Sequence, residues 1–152
     1  MNTKSPNAVS FLKKDHKEVK AMFKRFDGLS DRSLVSKKKV VDQICNALIV
    51  HTHLEEEIFY PVVRKAIKDD DLMDEALVEH AAAKQLIAQL LDMDAGDAMY
   101  DAKVKVLSEQ IEHHVREEED EMFPKVLKTK LNLEDLGAEM RLRKDELEPV
   151  AS

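Results

Sequence analysis

The sequence holds one cysteine, no tryptophan, three glycines and four prolines in 152 residues. With Cys45 alone, no intrachain disulfide can form and no thiol pair is present to carry electrons. Nothing approaches the run of ~18 apolar residues that a membrane-spanning helix needs. The N-terminal Met1-Asn2-Thr3-Lys4-Ser5-Pro6 is not followed by the apolar core of a signal peptide, so the expected compartment is the cytoplasm. Positive charge is in deficit: the net charge is -7, which argues against non-specific nucleic-acid or anionic-membrane partners.

What is abundant is helix-forming. Charged residues make up 36% and hydrophobic ones 43%, rich in Leu, Lys, Glu and Ala. That balance predicts an all-α fold, and the length predicts one domain over 1–152. Ser5 followed by Pro6 predicts a helix start. Val9, Leu12, His16, Val19, Phe23 and Phe26 then recur at helical spacing until Gly28. A polar connection over Ser30 to Lys39 leads to a second stripe: Val41, Ile44, Leu48, His51, Glu55 and Phe59. The third stripe is Met73, Leu77, His80, Ala83, Ile87 and Leu90, and the fourth is Val104, Leu107, Ile111, His114 and Glu118. Asn132 reads as the cap of a short fifth helix, about 132–148, docked by Leu133, Leu136, Met140 and Leu147. The bundle core is expected over about 7–128.

Two stretches organise the rest. His51-Thr52-His53-Leu54-Glu55-Glu56-Glu57-Ile58-Phe59-Tyr60-Pro61 returns as His114-Val115-Arg116-Glu117-Glu118-Glu119-Asp120-Glu121-Met122-Phe123-Pro124. His51 to His114, Glu55 to Glu118 and Pro61 to Pro124 are each 63 residues apart, and His16 to His80 is 64. Asp15-His16 matches Glu79-His80 in the same way. A repeated helical hairpin directs four His and two Glu toward one interior point. His and Glu four apart share a helix face. His53 turns about 200° from His51 at 100° per residue and points elsewhere. His113 leaves the inner face by one residue. Pro61 and Pro124 predict a kink or a tightened turn just past each carboxylate.

Six such groups in a bundle core would be a severe penalty without a cation. Imidazole plus carboxylate without thiolate suits iron, manganese or zinc. Two Glu bridging two ions, with two His on each, would give each ion about four protein donors and leave positions for a small ligand. The other acidic residues of Glu55-Glu56-Glu57 and Glu117 to Glu121 read as solvated faces, with Glu56 and Glu119 as second-rank candidates. Cys45 and Tyr60 read as packing, although a phenol near a metal pair could also hydrogen-bond a ligand.

The paired H-x-x-x-E motifs, each followed by an aromatic and Pro and preceded by Asp15-His16 or Glu79-His80, resemble the hemerythrin-like, or HHE cation-binding, domain family. The resemblance covers roughly Val9 to Leu127. It implies an up-down-up-down four-helix bundle around a non-haem centre of two iron ions, oxo- or hydroxo-bridged, with manganese or zinc as alternatives. Carried over, the terminal ligands are His16, His51, His80 and His114, and the bridges are Glu55 and Glu118. The oxygen carriers of the family have a second His four residues after the one on the third helix, where this chain has Lys84, and they use an Asp as one bridge. The sequence looks more like the bacterial four-His, two-Glu branch, which resembles iron-centre repair proteins and is linked to nitric oxide and oxidative stress. Those repair proteins carry an N-terminal cysteine-containing domain that this sequence lacks. Three roles follow as expectations: binding or sensing of dioxygen, peroxide or nitric oxide, enzymatic reduction of peroxide or nitric oxide, or iron donation.

Overall fold

The computed structural model describes residues 7–148, and over them the chain forms four long rods and a fifth, shorter helix. The first rod is α1 (Ala8–Asp27). The second runs through α2 (Leu34–Leu54), a widened π-turn (Glu55–Phe59) and α3 (Tyr60–Ile67). The third is α4 (Asp70–Asp92). The fourth repeats the second: α5 (Tyr100–Glu117), a π-turn (Glu118–Met122) and α6 (Phe123–Leu127). Short connections make successive rods antiparallel, giving the expected up-down-up-down bundle. Helix α7 (Leu133–Leu147) lies across α1 and α2.

Local chemistry sets most boundaries. Asn7 caps α1, its side chain accepting from the Ser10 N–H at 2.9 Å; Ser5 and Pro6 lie outside the described residues. Asp69 caps α4 and Asn132 caps α7 in the same way. The second rod starts at Leu34, earlier than the polar connection through Lys39 implied. Lys37, expected in that connection, is buried instead. Its ammonium lies 2.9 Å from Asp101 and over the Phe26 ring, so a paired charge takes a place the apolar pattern could not mark.

The apolar core comes in two parts. One gathers Leu12, Leu54, Phe59, Val63, Met73, Phe123, Val126 and Met140 at the end where α7 docks. The other gathers Phe23, Ile44, Cys45, Leu48, Ile87, Leu90, Tyr100 and Leu107 at the opposite end. Each fully buried Leu or Phe contributes ~1.5–3 kcal/mol. One stripe position is corrected: Leu77 is 39% exposed and Ala76 is buried in its stead. Both lie about one turn from His80, and the packed bundle takes the smaller side chain. Ile111 is half-buried.

The prolines widen their turns rather than tighten them. A proline has no N–H to donate and its ring crowds the carbonyl four residues back. Ahead of Pro61 and Pro124 the ladder shifts to i→i+5, with the Tyr60 N–H on Glu55 O and the Phe123 N–H on Glu118 O. Both rods continue beyond. The widened turns begin at the two inward carboxylates, between the two apolar clusters.

Candidate metal centre

All six side chains singled out by the sequence converge there, and all are buried. They fall into two sets that share both carboxylates: His16 and His51 with Glu55 and Glu118, and His80 and His114 with the same pair. Within each set one donor atom per residue lies within 4.8 Å of every other. Glu118 offers one oxygen to each side: Oε1 is 3.1 Å from His16 Nε2, and Oε2 is 3.1 Å from His114 Nε2. Glu55 Oε1 is 3.4 Å from His51 Nε2 and 3.0 Å from His80 Nε2. This is the geometry of two carboxylates spanning two histidine pairs. His53 and His113 are exposed and pair with Glu57 and with Glu79 and Glu117 outside the bundle.

Each inward histidine is held from behind by an acid. His51 Nδ1 lies 3.2 Å from Asp15, His114 Nδ1 2.6 Å from Glu79, His80 Nδ1 2.7 Å from Glu56 and His16 Nδ1 2.8 Å from Glu119. A carboxylate on Nδ1 fixes that nitrogen as the N–H donor and turns the Nε2 lone pair to the centre, the arrangement that supports metal-ligating histidines. The four acids obey the repeat: each sits beside an inward residue of its own rod and serves a histidine on another. Glu56 and Glu119, read from sequence mainly as solvated surface, thus have a structural task. Asp15 and Glu79 were visible only as repeated context. Lys84, which stands where carriers have a histidine, bonds Glu56 at 2.7 Å and stays outside the centre. Lys144 of α7 bonds Asp15 at 2.9 Å and ties the fifth helix to His51.

The electrostatics show what the cluster wants. Burial opposes a charge on His51, yet the Glu55 carboxylate and the Asp15 hydrogen bond hold its pKa up at about 10. His114 is likewise held well above the ordinary imidazole value by Glu118 despite its burial. Burial pushes the Glu55 carboxyl up, but the His51 charge prevails and holds it well below the usual range. Protons on histidine thus supply the positive charge that two buried carboxylates demand. Even so, His16 Nε2, His51 Nε2, Glu55 Oε2 and Glu118 Oε1 are buried without an aligned hydrogen bond. The two ring nitrogens belong to the His16/His51 pair, and the two carboxylate oxygens are on the residues that both pairs share. Buried polar atoms are rarely left so, and four orphans converging at ligand spacing fit a divalent or trivalent cation.

The ring nitrogens of the second pair are not orphaned: the His80 and His114 Nε2 atoms lie 3.1 Å apart, His114 Nε2 is 3.1 Å from Glu118, and Tyr60 reaches both rings. Its Oη is 3.2 Å from His80 Nε2, 3.3 Å from His114 Nε2 and 3.3 Å from Glu55 Oε1, and it donates a short hydrogen bond to Glu118 Oε2. Burial raises the phenol pKa well above its ordinary value, and Glu118 and Glu55 raise it further, so the group is a neutral donor here. Tyr60 is therefore more than packing. In an unbroken α-helix residue 60 would lie about 140° from residue 55. The i→i+5 turn carries the two onto one face. In the second copy Phe123 takes the equivalent place and stacks on the His16 ring, centroids 6.1 Å apart and planes 2° from parallel.

Space for a ligand adjoins the histidines. A small cavity of about 20 Å³ is bordered by the four rings and by Val19, Leu48, Ala83 and Ile111. That is room for one water-sized molecule. A more open cleft of about 470 Å³, bordered by Lys13, Lys17, Phe23 and Val115, reaches His16 and Glu119 from outside.

Comparison with known proteins bears on the fold and the family. A crystal structure of a hemerythrin HHE cation-binding domain-containing protein from Mycobacterium kansasii superposes with a TM-score of 0.79 at 24% identity, covering 93% of this chain and 87% of that one. It is similar in fold. A DNA nickase of a Nostoc species is 26% identical over 117 residues, 77% of this chain, which spans about a third (32%) of that relative's length. The family model described as the hemerythrin HHE cation-binding domain matches residues 7–126, a span that includes every converging side chain, and the chain belongs to that family.

Proposed function

We propose that the chain is a non-haem di-iron protein whose centre binds dioxygen, peroxide or nitric oxide, as a sensor, buffer or stress-response component. The observation that carries this reading is the orphaned quartet His16, His51, Glu55 and Glu118 beside a cavity of about 20 Å³. His16 with His51 and His80 with His114 would hold the ions, with the Glu55 and Glu118 carboxylates shared between the two pairs. Bound iron would supply reversible redox and Lewis-acid chemistry. The residues do the rest. Asp15, Glu56, Glu79 and Glu119 orient the rings. Val19, Leu48, Ala83 and Ile111 border a cavity of about 20 Å³, room for a diatomic or water-sized ligand. The nitrogen–oxygen donor set favours iron or manganese over thiolate-preferring metals, and Cys45 lies in the apolar cluster away from it. A lone buried thiol suits a reducing cytoplasm.

Iron donation fits less well, because all six donors are buried and release would require the bundle to open. Turnover of peroxide or nitric oxide remains the second reading, supported by the cleft that reaches His16 from solvent. The relative's nickase activity is not carried over: acidic side chains surround this centre, and the net charge of -7 opposes a phosphate backbone.

The test is elemental analysis of protein expressed with ample iron, followed by optical spectra on reduction and on exposure to each ligand. About two irons per chain, as two histidine pairs require, with a spectrum that changes on ligand addition, is the expected result. Stoichiometric zinc, or no metal, would overturn the reading. An adduct that reverses on ligand removal marks binding; steady consumption of peroxide or nitric oxide marks an enzyme.

A further inference from the structure

The two halves of the repeat present opposite surfaces at one place. In the first half, Val50 and Leu54 of α2 pack in the apolar cluster where α7 docks. The matching positions 63 residues on are His113 and Glu117 of α5, and α7 lies elsewhere, across α1 and α2. We propose that His113 and Glu117, with Glu79 of α4, form a further metal site, separate from the buried centre. It would take one exchangeable divalent cation of the zinc or iron(II) class.

The donors already stand close. One ligand atom from each of the three residues lies within 4.8 Å of the others. His113 Nε2 is 3.4 Å from Glu79 Oε2 and 3.5 Å from Glu117 Oε2, and the Glu79 and Glu117 carboxyls hydrogen-bond each other. Zinc–nitrogen and zinc–oxygen bonds of about 2.0–2.2 Å put neighbouring donors about 3 Å apart. His113 is exposed and Glu117 half-buried, so both side chains have the freedom to close that small gap. His113 and Glu117, four apart, share one face of α5, and Glu79 supplies the third donor from the neighbouring rod. One imidazole with two carboxylates and no thiolate suits zinc, iron(II) or manganese.

Two of the other acids behind the rings show why a cation belongs here. Asp15 puts one oxygen on His51 and the other on the Lys144 ammonium at 2.9 Å. Glu56 puts one on His80 and the other on the Lys84 ammonium at 2.7 Å. Glu79 puts Oε1 on His114 at 2.6 Å, but its outer Oε2 faces His113 and Glu117. Among the described residues no Lys or Arg pairs with Glu79 or Glu117. Glu75, one turn earlier on α4, adds further negative charge beside Glu117. The place that an ammonium fills beside Asp15 and Glu56 is therefore, beside Glu79, ringed by metal-binding donors. Water completes the shell of an ion held by three protein donors at the surface. Such an ion leaves on desalting, so the washed protein reports the buried centre alone.

Calorimetric titration of the iron-loaded, desalted protein with zinc tests this. The expected result is one further equivalent of zinc, absent from His113→Ala and from Glu117→Gln. His53→Ala should keep it, since the exposed His53–Glu57 pair is already met by Arg143. The count is a difference between variants, so it holds whatever ions occupy the buried centre. Zinc-edge X-ray absorption of the unaltered chain, with the centre filled beforehand, is expected to show a shell of oxygens and one imidazole. That measurement stands even where a substitution disturbs folding. Equal zinc uptake by the unaltered chain and His113→Ala, or a zinc shell with two imidazoles, overturns the site and leaves the reading of the buried centre untouched.

Discussion

The two histidine pairs are built from one repeated plan yet differ where it matters. His16 and His51 have a phenyl ring beside them, two ring nitrogens without an aligned hydrogen bond and a cleft leading in. His80 and His114 have a phenol among them and no unpaired ring nitrogen. A hydroxyl and the close approach of the two rings, 3.1 Å between Nε2 atoms, set the second pair apart. The pair without the hydroxyl gains more from a cation, since its two Nε2 atoms lie near carboxylate oxygens but make no aligned hydrogen bond. The pair with it has a neutral donor already in place. The repeat thus gives a symmetric frame, and the unmatched Tyr60 and Phe123 help make its two sides unequal.

The strongest way to break the comparison is to remove what the sides share. Glu118→Ala takes one oxygen from each pair, and metal content is expected to fall from about two ions per chain to nearly none. Elemental analysis reads it, and retention of one full equivalent would show that the sides are held independently. Next come the acids behind the rings. Asp15→Asn and Glu79→Gln each remove a charged partner from Nδ1, and metal affinity is expected to drop about 10–100-fold. Competition with a chelator measures this. Asp15→Asn should also loosen α7 through Lys144, a difference visible as faster hydrogen exchange in that helix.

The pH dependence sharpens the comparison further. In the metal-free chain the His51 pKa stands raised from 6.5 to about 10. A raised base contributes stability in full below 6.5 and loses it as pH rises toward 10. The Glu55 carboxyl is depressed below its ordinary value, so its share is present above 4.5 and lost in acid. The chelated protein is therefore expected to melt highest in mild acid and progressively lower toward pH 10. The loaded protein should lack that alkaline loss, because ions replace the protons. Parallel pH profiles of loaded and chelated protein would contradict this account. The smallest effect is expected outside the bundle: His53→Ala and His113→Ala should leave metal content unchanged while His51→Ala and His114→Ala lower it markedly.

Much of this was legible in the chain. Apolar spacing marked the four rods, and register alone separated His51 from His53 and His114 from His113. The repeat of 63 and 64 residues announced two hairpins facing one point. Less legible were groups whose role depends on another rod. Asp15 sits beside His16 but holds His51, and Glu56 sits beside Glu55 but holds His80. Lys37 was hidden because its partner, Asp101, is far along the chain. The choice of Ala76 over Leu77 belonged to packing, since both positions lie close to the inner face.

The sequence by itself determined the fold class, the six converging side chains and the family resemblance, because these follow from residue type at fixed helical spacing. The tertiary structure alone decided the inequality of the two sides. At 100° per residue, Tyr60 should turn about 140° away from Glu55. Ahead of Pro61 the helix cannot keep its i→i+4 ladder, so it widens, and the wider turn swings the phenol into the core among both carboxylates and two imidazoles. Periodicity assumes a constant turn, and the decisive residue lies where the turn changes.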